Sequence, residues 1–134
     1  MANRNFPSGG KIYSMNVMPV MLNLQINIGA AGAVSSFTGP GIKSVALSAP
    51  GQYSIVLQDN YFALLAVLSG VMVASGTSAV SQIEQVGPMV NSSNPSSSGA
   101  TIMIQTVSPA GSVANPAPSS QLQIVILLNN SSVR

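Results

Sequence analysis

The chain has 134 residues, of which 46% are hydrophobic and only 4% charged, with a formal net charge of +2. That length suits one domain with a real core, and the absence of His and Cys removes the usual zinc sites, thiol nucleophiles, Ser-His-Asp triads and disulfide frameworks. The four cations, Arg4, Lys11, Lys43 and Arg134, are scattered and fewer than the roughly 6 to 10 phosphate contacts of a nucleic-acid binder, while the hydrophobic content argues against disorder.

In chain order, residues 1–12 mix Phe6-Pro7 with Ser8-Gly9-Gly10 and hold Arg4 and Lys11. That composition reads as a flexible N-terminal arm preceding one domain over 13–134. The apolar stretch beyond the arm is broken by Asn16, Pro19 and Asn23, so a secretory signal peptide is not expected. Synthesis in a reducing cytoplasm fits the lack of Cys.

Residues 21–28 alternate apolar Leu22, Leu24, Ile26 and Ile28 with polar Asn23, Gln25 and Asn27, the period of two that a half-buried strand requires. The same period recurs at Tyr53, Ile55 and Leu57, and again at Leu122, Ile124, Ile126 and Leu128. In the last of these, Val125 and Leu127 make the second face partly apolar, which predicts a central strand or a subunit contact. Further strands are expected over 42–47, 64–74, 80–86 and 100–107, separated by turn signals such as Gly39-Pro40-Gly41, Ala49-Pro50-Gly51 and Gly87-Pro88. Residues 60–66 lack β-branched side chains and offer one helical turn as an alternative. Residues 91–99 and 108–120, rich in Ser, Asn, Pro and Gly, read as long uncharged loops. The longest apolar run, residues 63–74, is well short of the roughly 20 residues of a spanning helix. The fold class is therefore all-β, a single antiparallel sandwich of jelly-roll-like character.

Chemistry is sparse. Asp59 and Glu84 are the only acids; Asp59 before Asn60 reads as a turn residue bonding nearby amides, and Glu84 as a solvated strand residue. Lys43 and Lys11 fit exposed charges that discourage edge pairing. Gly29 to Gly32 follows a strand as a dinucleotide fingerprint does, but neither the helix nor the downstream acid follows. Met15, Met18 and Met21 are three apart with Pro19 among them, which favours packing filler or a pliable contact surface over a helical stripe. Tyr53 and Tyr61 are expected in the core with hydrogen-bonded hydroxyls. No catalytic residue, metal site, cofactor or small-molecule substrate is expected, and the protein is read as not an enzyme.

The run Gly51, Tyr53, Ile55, Leu57, Asp59 and Tyr61, followed by Leu64-Leu65, resembles a G-x-Y-x-[IV]-x-L-x-D-x-Y pattern of small virion proteins of tailed bacteriophages. Residues 19–29, 32–36 and the closing 124–133 are similar to the strands flanking it, so the resemblance covers about half the chain. It implies a capsid cement, or decoration, protein: a β-sandwich on the outside of the phage head that bridges neighbouring major capsid protein subunits. Its implied location is the virion surface after synthesis in the host cytoplasm. Its implied partners are the major capsid protein and further copies of itself, as dimer or trimer, with no nucleic acid or membrane. Arg4, Phe6, Lys11 and Tyr13 become candidate capsid contacts, and Gly51, Tyr53, Leu57, Asp59 and Tyr61 the fold motif. Obligate interfaces are depleted of charge, which agrees independently with the composition. The competing reading is a fibre or lectin-like cell-surface module whose Asn and Ser loops hydrogen-bond sugars.

Overall fold

The computed structural model describes residues 19–74, 79–93 and 99–129. The expectations for the arm 1–12, and for Arg4, Phe6, Lys11, Tyr13, Met15 and Met18, lie outside the described residues.

Among the described residues eight strands form, in chain order β1 (Pro19–Ile28), β2 (Val34–Thr38), β3 (Ile42–Ala49), β4 (Gln52–Leu57), β5 (Ala63–Met72), β6 (Gln82–Val90), β7 (Thr101–Val107) and β8 (Gln121–Asn129). They make two four-stranded antiparallel sheets. The first runs β2-β1-β8-β5 and the second β3-β4-β7-β6. An all-β sandwich is thus what the alternating sequence builds. A jelly roll is not established by this order, because β1-β2, β3-β4 and β6-β7 are neighbours within one sheet, whereas jelly-roll wrapping mostly alternates between sheets.

The core follows from the period of two. Leu24, Ile26 and Ile28 of β1 and Leu122, Ile124, Ile126 and Leu128 of β8 face Tyr53, Ile55 and Leu57 of β4 and Ile102 and Ile104 of β7, all at most 2% exposed. Full burial of each such aliphatic side chain contributes about 1.5 to 3 kcal/mol. β8 pairs with both β1 and β5 and is central, as its two-sided apolar pattern predicts.

The alternative of a helical turn over 60–66 is corrected: β5 begins at Ala63 and pairs along its length with β8, from Ala63 opposite Asn129 to Met72 opposite Gln121, and that ladder outweighs local propensity. Residues 108–120 form the expected loop between β7 and β8, and it is held in place. Val107 bridges Val113, Ser108 and Ser112 close a turn, Pro116 and Ser120 are buried, and Ser119 and Ser120 exchange backbone hydrogen bonds with Ile28. A strand that the periodicity does not reveal, β2, pairs with β1 through Ile26 opposite Phe37.

Candidate functional site

The motif residues come together, but as architecture. Gly51 is buried in the β3-β4 turn with φ +72, a conformation that favours glycine, and a Cβ there would lie 2.7 Å from the Ala114 carbonyl oxygen. Its N–H donates to Asn115 Oδ1 at 2.6 Å, and its carbonyl accepts from the Thr106 N–H at 2.8 Å. Thr106, fully buried, also donates from Oγ1 to the Ala114 carbonyl at 2.6 Å. Tyr53, also fully buried, donates from its hydroxyl to the Gly32 carbonyl at 2.7 Å, and burial pushes its phenol up to about 12. This hub joins the turn before β2, the β3-β4 turn, β7 and the loop before β8. Among the described residues no buried side-chain nitrogen or oxygen lacks a partner.

At the opposite end of β4, Leu57 is buried and its N–H donates to Ala100; the backbone carbonyl of Asp59, rather than its exposed carboxylate, accepts from the Ala100 N–H. Asn91 donates to the Tyr61 carbonyl at 2.8 Å and accepts from the Tyr61 N–H at 3.3 Å, and Asn60 and Ser92 make a similar reciprocal pair. Burial raises the Tyr61 phenol, and the negative charge of Asp59 adds to the rise. Glu84 is exposed and accepts from Gln82 and Gln105 side chains; it and Asp59 lie on different parts of the fold. Among the described residues no cluster of three or more His, Cys, Asp or Glu side chains can hold a metal ion. In those residues no helix is long and apolar enough to cross a membrane.

What remains to carry function is surface, and the two sheets differ there. No residue in the four strands of the first sheet is charged, while the second sheet holds Lys43 on β3 and Glu84 on β6. The register defines the outer face of the first sheet row by row. One row is Met21, Leu127 and Ala66, the next Asn23, Val125 and Leu68. Beyond these come Thr38, Gln25, Gln123 and Gly70, then Ser36, Asn27, Gln121 and Met72. One part is therefore apolar, and the other is an array of neutral amides in which Asn27 donates to Ser36 Oγ at 2.8 Å.

The apolar part is concentrated on and beside β5. Phe62, Leu65, Leu68 and Met72 are 61, 47, 57 and 48% exposed, and Met21 on β1 is 62% exposed. Phe62 and Leu65, with Leu64, Pro88 and Met89, line an open cleft between β5 and β6. The apolar character of 63–74 was visible in the sequence, but the face it presents was not.

No family model matches the chain, and no curated protein or solved structure matches it significantly.

Proposed function

We propose that this chain is a structural virion protein, a capsid cement or decoration protein that attaches to the outer surface of a phage head and bridges neighbouring major capsid protein subunits. The observation that carries the reading is the uncharged first sheet with its exposed apolar rows. Such a surface gains free energy by being covered, not by catalysis or by attracting ions. The buried Gly51, Tyr53 and Leu57 pattern supports it through the resemblance to small phage virion proteins. Attachment uses the N-terminal segment, with Arg4, Phe6, Lys11 and Tyr13, together with the uncharged loops, many modest contacts adding through multivalency.

The test is to purify intact particles from the source of this chain and look for it among their proteins and, by electron microscopy, on the outer shell. Its presence there, together with weakened attachment after deletion of residues 2–12, supports the reading; a particle without it refutes it. Attachment is expected to change less than roughly tenfold between about 0.05 and 0.5 M salt, since so few charges are present to be screened.

A second reading, a cell-surface-binding module, draws on one observation: the neutral array of Asn23, Gln25, Asn27, Gln121 and Gln123 on the first sheet. Binding of the free protein to host envelope glycans, lost in Gln25→Ala and Gln123→Ala, would favour it over the capsid.

A further inference from the structure

Among the described residues four edge strands, β2, β5, β3 and β6, have a ladder partner on one side only, and three carry devices that discourage pairing. β2 is only five residues long. β3 carries Lys43 at a register break between Ile42 and Ser44. β6 carries Glu84, Pro88 and Gly87, the last at φ +70, with a register break between Val86 and Val90. β5 is different. It is ten residues long, has neither charge nor proline, and displays Leu65, Leu68 and Met72 to solvent. Its one irregularity is the register break between Leu64 and Ala66.

A partner for this surface must itself be nearly neutral. Burying an ionised group against a surface without counter-charge costs several kcal/mol or more, and about 25% of residues in an ordinary soluble domain are charged. The second sheet of another copy is a poor fit, since it would bring Lys43 and Glu84. The first sheet of another copy brings no charge at all. It would set the two apolar rows against apolar rows, with Asn23 beside Val125 and the amides of Gln25 and Gln123 in the next row, between Leu68 and Met72. β1, β8 and β5, about 4.8 Å apart and roughly 30 Å long, give a projected area of roughly 430 Å² before side-chain relief is added, and the five-residue β2 adds roughly 80 Å². The sum is more than half of the roughly 800 Å² per partner that stable interfaces bury.

We infer that the β5 side of the first sheet is a self-association surface, occupied by the same surface of a second copy around a two-fold axis, with Leu68, Met21 and Leu127 at its apolar centre and Leu65 and Met72 toward its two ends. A contact of this kind is isologous, so it closes at two copies and does not propagate into filaments. It uses the same sheet as the capsid reading and is a contact of the free protein, so its test, run without capsids, can fail without deciding that reading.

The experiment is sedimentation velocity of the full chain between roughly 1 and 50 μM, without capsids. Wild type is expected to sediment as a dimer. Leu68→Glu is expected to weaken association at least tenfold and yield monomer, because two like charges then meet in a desolvated contact. Met72→Glu is the second variant on the same surface, and circular dichroism of each establishes that the strands are retained. Val90→Glu, whose parent side chain is 62% exposed on the other sheet, is expected to remain dimeric. Monomeric wild type across the range, a folded Leu68→Glu or Met72→Glu protein that associates like wild type, dispersal by Val90→Glu, or a trimer would each overturn the two-fold contact.

Discussion

The Gly51 hub and the β5 surface are opposite solutions to the same shortage of charge. In the hub, polar groups from four segments of chain satisfy one another: Asn115 with Gly51, Thr106 with Ala114 and Tyr53 with Gly32. On β5, large apolar side chains are about half exposed to solvent: Leu65, Leu68 and Met72. The contrast teaches that stability and association are built in separate places. A change in the hub is expected to cost folding and leave association alone, and a change on β5 to do the reverse.

The largest effect is expected at Gly51. Gly51→Ala must place a Cβ 2.7 Å from the Ala114 carbonyl in a left-handed conformation, and a loss of about 3 to 5 kcal/mol is expected in denaturant unfolding. If the variant folds, its dimer should survive. Tyr53→Phe comes next: it leaves the buried Gly32 carbonyl without its donor, for about 1 to 3 kcal/mol. A Tyr53→Phe protein as stable as wild type would show that the hub hydrogen bond contributes nothing.

Alkaline titration reads the same tyrosine without mutation. Its pKa is pushed from 10.0 to about 12 in the folded state, so the folded protein holds the proton more tightly than the unfolded chain. The stabilisation is complete below about pH 10 and is lost as pH rises through about 12. Tyr61 acts in the same direction. Thermal midpoints should therefore fall across that window, and the fall should be smaller in Tyr53→Phe.

Exposed positions should respond least in stability. Leu68→Gln and Val86→Gln, on opposite sheets, are each expected within about 0.5 kcal/mol of wild type, with only Leu68→Gln altering the concentration dependence of the melting temperature. Ala31, the non-glycine residue at φ 55 beside the hub, offers the smallest gain. Ala31→Gly relieves left-handed strain of about 1 to 2 kcal/mol but restores chain entropy on unfolding, for a net stabilisation of roughly 0.5 kcal/mol.

The core was legible because it rests on alternation. Tyr53, Ile55 and Leu57, like Leu122, Ile124, Ile126 and Leu128, need only the period of two to be assigned to the inside. β2 was not legible, because its five residues, with Val34 and Phe37 among Ser and Thr, carry no such alternation and are held by pairing to β1. Nor was the hub: Asn115 lies in a Ser- and Pro-rich segment 64 residues from its partner Gly51, and no local pattern encodes a contact at that separation. Which apolar side chains stay exposed is likewise fixed by tertiary packing. Leu64 packs on the core and Leu65 does not, although the two are neighbours in a uniformly apolar run.

Backbone amide hydrogen exchange of the free protein at two concentrations, roughly 1 and 50 μM, tests the separation of folding from association most directly, because it reports each strand in its own environment. Exchange is expected to slow with concentration in β5 while β6 and the hub amides of Gly51 and Thr106 keep their rates. Concentration-independent exchange in β5, or equal slowing in β6, would contradict it.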